Sequence, residues 1–306
     1  MKFDFGEVLT RAGQITWRYK SLWLAGIVIS LVGFLSAPIS LALNPAFSSL
    51  ADPSEVNRQL PAILLANGLV ILLTILSIPI YVIGMSVPSL GTVQLEQGSQ
   101  KVNFGELIRG VLPYFWRILG IVLLVWVGVF AVLMIFMAAL IFLSIFTFGI
   151  GSLCVFPIFI LFIPLAILVY AVMEQGVSAV LVDNLGVSSA LQRAWELVKK
   201  NLGVMALMSV IIYLGSAIVG MIISVPMMIP MFGFIFNLRS EPDVQSFERL
   251  SRNMILWMLA FSPFYAVFQG ILLTFMQSVW TLTYIRLTRR STNLAQPLPG
   301  TVEATS

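Results

Sequence analysis

Residues 118–146 have the sequence ILGIVLLVWVGVFAVLMIFMAALIFLSIF, and no Asp, Glu, Lys or Arg occurs from there to residue 173. About 20 consecutive apolar residues are enough for a helix to cross the hydrocarbon core of a bilayer. The rest of the chain has the same character, with 59% hydrophobic residues, 10% charged residues and a mean hydropathy of +1.01. A soluble domain carries about a quarter charged residues. The sequence therefore predicts an all-α integral membrane protein.

Six apolar runs predict about six transmembrane helices. They cover approximately 22–43, 61–90, 118–146, 153–173, 203–236 and 254–285. Several runs are longer than a bilayer needs, and tilting or kinking at internal prolines absorbs the excess length. The segment VPMMIPMFGF, residues 225–234, has an alternative interpretation as a short interfacial or re-entrant piece.

The distribution of basic residues predicts the orientation of these spans. Most of the 17 lysines and arginines, including every lysine, lie on the same side as the N-terminus. Because loops on the cytoplasmic side are enriched in Lys and Arg, both termini are expected to be cytoplasmic, in the inner membrane of a prokaryote. Charged residues precede the first span and no cleavage site follows it, so this span is expected to stay as an anchor.

A semi-polar phrase occurs twice, each time directly before an apolar span. DFGEVLTRAGQITWR, residues 4–18, recurs as NFGELIRGVLPYFWR, residues 103–117. Apolar residues at three- and four-residue spacing, with charges between them, predict an amphipathic helix lying at the membrane interface in both copies. Asp4 and Asn103 are predicted N-caps, and Pro113 is predicted to kink the second helix.

A third, less similar copy is VSSALQRAWELVKKN, residues 187–201, where Ser189 and Gln192 are a predicted capping pair. The sequence thus predicts one membrane domain over 1–290, built from three repeats of interfacial helix plus transmembrane hairpin. There are two alternatives to a functional repeat. The similarity between the copies reflects shared composition, or each amphipathic helix only sets the angle at which the next span enters the membrane. The predicted repeat units are approximately 1–95, 96–178 and 179–290, and 291–306 is a predicted disordered cytoplasmic tail.

Two segments resemble a known family. VLVDNLGVSSALQRAWELVKKN, residues 180–201, and TLTYIRLTRR, residues 281–290, are similar to the polytopic membrane domain of glycerophosphoryl diester phosphodiesterase-type proteins and related uncharacterised bacterial and archaeal membrane proteins. The resemblance implies six or more helices and no assigned chemistry in this domain. In that family the phosphodiesterase activity belongs to a separate soluble barrel with metal-binding Glu and His residues. This chain contains no His, so the enzyme activity is not carried over.

The composition also argues against chemistry and against nucleic-acid binding. The absence of His excludes His-based acid–base catalysis and His-ligated metals, and the single Cys154 cannot form an intrachain disulfide. No P-loop and no basic groove with interleaved aromatics is found. Glu174 is interpreted as an interfacial residue at the inner end of the fourth span, and Asp183 as part of the next loop. We therefore expect no enzyme activity, no catalytic residue, no metal site and no cofactor.

The candidate functional residues are basic positions on the amphipathic helices and two glutamines in the last span. The basic positions would contact anionic lipid headgroups or a protein partner, and simple anchoring is the alternative; they are Arg11, Arg18, Lys20, Arg109, Arg117, Arg193, Lys199 and Lys200. Gln269 and Gln277 are eight residues apart, so they share one face of a helix. They form either a polar stripe along a headgroup or solute path, or ordinary hydrogen bonds between helices.

The leading functional hypothesis is a non-catalytic multi-pass membrane protein that acts through lipid or protein contacts at the cytoplasmic membrane face. Its expected partners are membrane lipids and, as a further candidate, another membrane or cytoplasmic protein, but not nucleic acid. The alternative is a transporter or a lipid-translocating, scramblase-like protein, with which internal repeats and proline-broken helices are compatible.

Overall fold

The computed structural model of the protein describes residues 3–43, 53–147, 155–238 and 244–295. Every regular element within these ranges is helical, which confirms the all-α class. Two short 3-10 turns, Lys20–Leu22 and Leu112–Tyr114, connect longer helices. The α-helices are α1 (Phe5–Arg18), α2 (Trp23–Leu43), α3 (Pro53–Glu96), α4 (Phe104–Val111), α5 (Phe115–Phe146), α6 (Val155–Asp183), α7 (Val187–Lys200), α8 (Leu202–Leu238) and α9 (Val244–Ala295).

Five helical runs in the described chain are long and apolar enough to cross a membrane. They are Leu60–Glu96, Phe104–Phe146, Phe162–Asp183, Leu202–Pro226 and Arg252–Arg289. A sixth is counted if α1 and the segment Lys20–Leu35 are taken as one span, although the two meet at 85°. The multi-spanning helical class is therefore confirmed. The number six and the threefold repeat stay predictions.

Two helices extend beyond their predicted ends. Helix α6 continues to Asp183, well past the predicted boundary at residue 173, and Asp183 is its last residue rather than part of a loop. Helix α9 continues to Ala295, into the segment predicted to be a disordered tail; residues 296–306 lie outside the described part. In α6, hydropathy falls before the helix ends because Glu174, Gln175 and Ser178 are buried in the protein instead of facing lipid. The backbone of α8 is helical throughout 225–234, and the interfacial or re-entrant alternative stays a prediction.

The predicted caps are right for two of the three amphipathic helices. The Asp4 side chain accepts a hydrogen bond from the Glu7 amide at 3.0 Å, and Asn103 accepts one from the Gly105 amide at 3.2 Å. The prediction for α7 is wrong, because this helix begins at Val187 with Gly186 as N-cap and no side-chain cap. Ser189 and Gln192 therefore lie inside the helix, too late in the chain to cap it.

The copies also differ in how they join the following helix. A sharp bend of 85° separates α1 from the start of α2. In contrast, α4 continues through the 3-10 turn Leu112–Tyr114 into α5, and together they form one helical run, Phe104–Phe146. Pro113 lies in that turn, which locally tightens the helix where the sequence predicted a kink.

The apolar faces of α1, α4 and α7 are buried against the protein rather than in lipid. Val8 and Ala12 of α1 and Leu107 of α4 belong to the central core, together with Ala190 and Val198 of α7. These three helices and the adjoining ends of α3, α6 and α9 form one end of the molecule, which we call the capped face. Away from it, α3, α5 and α8 expose many large apolar side chains, as a lipid-facing surface requires.

Helix α9 lies at the centre of the fold and packs against α1, α2, α3, α6 and α8. Its contact with α2 is unusually close at two glycines. A Cβ atom built on Gly26 would lie 2.7 Å from the Cα atom of Gly270, and one built on Gly270 would lie 2.7 Å from the backbone nitrogen of Ile27. The two backbones therefore touch directly, which is how small residues allow membrane helices to approach each other.

Candidate functional site

An ion-pair network connects three helices at the capped face. Glu96, at the end of α3, accepts from Arg11 Nε at 2.9 Å and from Arg286 Nη1 at 2.9 Å, and its side chain is only 8% exposed. Arg286 also pairs through Nη2 with Glu7 at 3.0 Å. Because these residues lie on α1, α3 and α9, the network holds the first and last helices together. Arg11, a predicted headgroup contact, is thus partly neutralised within the protein.

Two further predicted basic contacts also have partners in the protein. Arg117 donates to the Asn184 side-chain oxygen at 2.7 Å and to its carbonyl oxygen at 3.2 Å. Asn184 adopts a positive φ of 55°, which Asn tolerates better than most residues. The Tyr284 hydroxyl donates to the Asp183 carboxylate, and Arg193 also hydrogen-bonds Tyr284. Arg117 and Arg193 therefore stabilise the connections around α7.

A cleft of about 870 Å³ lies between α1 and the connection from α3 to α4, and we call it the basic cleft. It contains three cationic side chains, those of Arg11, Arg18 and Lys101, and none of its described lining residues is acidic. Lys101 was not among the predicted site residues, because it lies in a short polar connection without periodicity. The other lining residues are Gln14, Ile15, Trp17, Tyr19, Leu95, Gly98, Ser99 and Gln100.

A defined turn fixes one wall of the basic cleft. Gly98 has a φ of +100°, and its amide donates to the Leu95 carbonyl at 3.2 Å. The next amide, of Ser99, donates to the Gln94 carbonyl at 3.0 Å. This pair of bonds is the Schellman pattern that ends a helix with a glycine in a left-handed conformation. The turn therefore sets the direction in which the chain carries Lys101.

Side-chain hydrogen bonds fix the wall formed by α1. Ser21 donates to the Val102 carbonyl at 3.3 Å, which ties the α1–α2 elbow to the connection before α4. The Trp23 ring nitrogen donates to the Thr16 carbonyl at 2.7 Å, and its ring stacks edge-on against that of Trp17 with centroids 5.6 Å apart. The cleft is therefore a preformed feature with both walls held by the fold.

Each amphipathic helix or its continuation presents one exposed tryptophan at the capped face. The exposed fractions are 65% for Trp17, 76% for Trp116 and 51% for Trp195, although the apolar faces of the same helices are buried. Indole rings concentrate at the level of lipid headgroups, where one edge is wet and the other apolar. Three such rings at one end of the molecule are consistent with a capped face at headgroup depth.

The remaining predicted basic residues do not line the basic cleft. Lys20 lies over the Trp23 ring, with its Nζ atom 5.9 Å from the ring centroid. Arg109 on α4 and the pair Lys199 and Lys200 on α7 are exposed. The structure thus gathers Arg11 and Arg18 with Lys101, and leaves the other exposed cations on separate surfaces.

The two predicted glutamines have different hydrogen-bond partners. Gln269 donates to the hydroxyl of Tyr265 on its own helix at 3.1 Å. Gln277 instead joins a buried polar cluster, in which its Nε2 donates to Glu174 Oε1 at 3.1 Å and its Oε1 accepts from the Ser89 hydroxyl at 3.0 Å. We call this cluster of α3, α6 and α9 side chains the polar core.

Glu174 is buried inside the protein, so its interpretation as an interfacial residue is wrong. Its exposed fraction is 1%, and it lies well inside α6, which ends only at Asp183. The hydroxyl of Tyr170, one turn earlier, also hydrogen-bonds the carboxyl group. An acidic residue at the end of an apolar run looks interfacial when the helix is assumed to end there. The helical spacing of Glu174 and Ser178, with Gln175 beside them, was the signal that the helix continues.

No family model, curated protein or solved structure matches the chain. The resemblance to the membrane domain of glycerophosphoryl diester phosphodiesterase-type proteins therefore stays a prediction.

Proposed function

We propose that this protein is a non-catalytic multi-pass membrane protein that binds anionic lipid headgroups in the basic cleft. The observation that carries the proposal is a preformed cleft with three cations and no acidic residue in its described lining. The exposed tryptophans support the proposal, because indole rings favour the depth at which lipid headgroups lie. Because Lys and Arg are enriched on the cytoplasmic side of membrane proteins, we take the capped face as the cytoplasmic one, in the inner membrane of a prokaryote.

The cleft cations contribute unequally to this proposal. Arg11 already pairs with Glu96 at 2.9 Å, so it offers a weaker net charge to a ligand. Arg18 has no ion pair among the described residues, and a guanidinium can bind two phosphate oxygens at once. Lys101 adds a compact charge from the opposite wall. Each free cation near the membrane surface attracts anionic lipid by about 1 kcal/mol.

Replacing Arg18 and Lys101 by glutamine should weaken the binding of anionic lipid about fivefold for each charge removed. The measurement is native mass spectrometry of the purified protein titrated with short-chain phosphatidylglycerol, with phosphatidylcholine as the neutral probe. Binding of phosphatidylcholine should not change, since the removed charges act on the extra negative charge of the headgroup.

The matched control is Lys199→Gln with Lys200→Gln, which removes the same charge from exposed positions of α7 outside the cleft. If both double variants lose equal affinity, the attraction is a general property of a basic surface and the cleft has no special role. If neither loses affinity, the headgroup proposal is wrong and the anchoring interpretation of these residues is favoured.

A second test changes the shape of the cleft without changing its charge. Alanine at Gly98 must adopt the φ of +100° seen there, which costs roughly 1–2 kcal/mol for a residue with a Cβ atom. We expect Gly98→Ala to displace the Ser99–Lys101 wall and to weaken phosphatidylglycerol binding by a few fold in the same titration. Gly13→Ala, on α1 with no atom near its added Cβ, should bind as the wild type does.

Transport or lipid translocation is the second candidate, and the polar core is the observation that favours it. Ionisable residues inside a membrane span often mark solute or ion pathways, and Glu174 is such a residue. Movement of fluorescent lipid between the leaflets of reconstituted liposomes tests the lipid-translocating form. Scrambling above the rate of protein-free liposomes would favour translocation over simple headgroup binding.

A further inference from the structure

The side chains that face Glu174 supply hydrogen bonds but no positive charge. Its neighbours are the phenols Tyr81 from α3, Tyr170 from α6 and Tyr213 from α8, together with the Gln277 amide from α9. Among the described residues, no lysine or arginine forms an ion pair with Glu174. Unlike Glu96, this carboxyl group therefore has no cation of the protein to balance a negative charge.

An unbalanced carboxylate in the interior of a membrane protein is costly, because neither water nor an opposite charge compensates for its lost hydration. The two hydrogen bonds to the carboxyl group, from Tyr170 and Gln277, cannot supply the missing unit of charge. One monovalent cation would neutralise the carboxylate. This cation is either a proton on a carboxyl oxygen or a metal ion held by several oxygen atoms.

Buried oxygen atoms without partners occur on the helices that surround this carboxyl group. Gln175 Oε1, Ser209 Oγ and Thr281 Oγ1 have no hydrogen-bond partner within the described chain. Gln175 directly follows Glu174, and Thr281 lies one turn from Gln277 on α9. Such orphaned polar atoms are rare in folded proteins and call for an explanation. Neutral oxygen atoms are the ligands that hard cations prefer, so unpartnered oxygen atoms on these helices favour an ion site over a purely apolar interior.

A line of polar side chains leads from the capped face to this site. Thr92 donates to the Ser278 hydroxyl at 3.0 Å, and one turn deeper Ser89 donates to Gln277 at 3.0 Å. Above them a cavity of about 170 Å³ lies at the ends of α3, α6 and α9, and its lining includes Glu96, Asp183 and Arg289. Along α6, Asp183 lies roughly 13 Å from Glu174, at a rise of about 1.5 Å per residue.

We propose that Glu174 reversibly binds one monovalent cation, a proton or a sodium ion, which reaches it from the capped face along this polar line. The site is separate from the basic cleft, so the two proposals stand or fall independently. Gln277 is a positioning residue in this arrangement, since its amide donates to the Glu174 carboxyl group while its own oxygen accepts from Ser89.

The test uses the full-length protein in nanodiscs of phosphatidylcholine, without anionic lipid. Infrared difference spectra record the carboxyl stretching band as the pH is stepped in choline chloride, and again after choline is replaced by sodium. Radioactive sodium binding is measured on the same samples. Glu174→Gln should remove the titrating band and any sodium binding. Glu174→Asp keeps a carboxyl group and should shift the band. This shift assigns the band to position 174 even if the glutamine variant does not fold.

The matched control is Glu196→Gln, which removes a carboxyl group from an exposed position on α7 and should leave the band and any sodium binding of Glu174 intact. A band that titrates identically in both salts supports a proton site. Competition supports a sodium site: sodium at about a hundred times its dissociation constant should weaken the apparent proton affinity about a hundredfold. The proposal is overturned if no Glu174 band changes over the pH range in which the protein stays folded and no sodium binds.

Discussion

Gly270→Val should be the most destabilising single substitution at the contact between α2 and α9. The Cβ atom alone would lie 2.7 Å from the Ile27 backbone nitrogen and 3.0 Å from the Trp23 carbonyl oxygen. Backbone atoms cannot rotate away as a side chain can, so the two helices must separate. Overpacking costs about 1–3 kcal/mol in most cores, and we expect the upper end of that range here. The measurement is the free energy of unfolding in mixed micelles titrated with dodecyl sulfate.

Gly215→Val is the matched control, because it adds the same side chain to a helical glycine with no atom within 4 Å of its Cβ. It should unfold close to the wild-type midpoint, apart from a small gain in helix propensity over glycine. Equal unfolding free energies for the two variants would show that α2 and α9 do not make the close contact described.

Glu96→Gln should have the second largest effect, since it removes the shared acceptor of two arginines. Arg11 would then lose its ion-pair partner, and Arg286 would keep only Glu7. Breaking a fully buried ion pair costs 3–5 kcal/mol, but both guanidinium groups are partly exposed and solvent screens them. We therefore expect a loss of about 2 kcal/mol in the same unfolding assay.

Glu106→Gln on α4 is the comparison for this variant, because its carboxylate is exposed and has no ion pair in the described chain. A double-mutant cycle of Glu96→Gln with Arg286→Gln isolates the coupling between the two residues. If Glu96→Gln is no worse than Glu106→Gln, the network contributes nothing measurable to holding α1 against α3 and α9.

The sequence predicted those features that depend on hydropathy and on local capping. The lipid-exposed middle of α5 and the caps Asp4 and Asn103 follow from residues close together in the chain. The end of α6 could not be predicted in this way, because hydropathy records how well a residue suits lipid. Residues 174–183 suit other helices instead: Glu174 and Gln175 are buried only because α3 and α9 cover them.

In the candidate sites, too, features set by residues close in sequence could be predicted and contacts between distant residues could not. Arg11 and Arg18 were predicted from the amphipathic pattern of α1, but that pattern cannot show that Glu96, 85 residues later, partly neutralises Arg11. Lys101 was missed because its place in the basic cleft depends on the turn at Gly98. Gln277 was identified as a polar residue in a span, whereas its partner Glu174 lies 103 residues away. Pairings of this kind are set by the tertiary fold.

The bond between Arg286 and Glu7, 279 residues apart, and the glycine contact of α2 with α9 have a consequence for the order of assembly. Helices α1 and α2 are synthesised before α9, the helix that covers them. Contacts between residues so distant in sequence form slowly, since the ends of a long loop must first meet. Until α9 is inserted, the face of α2 that carries Gly26 lacks its partner, and we infer that a fragment ending before α9 would remain unassembled in the membrane.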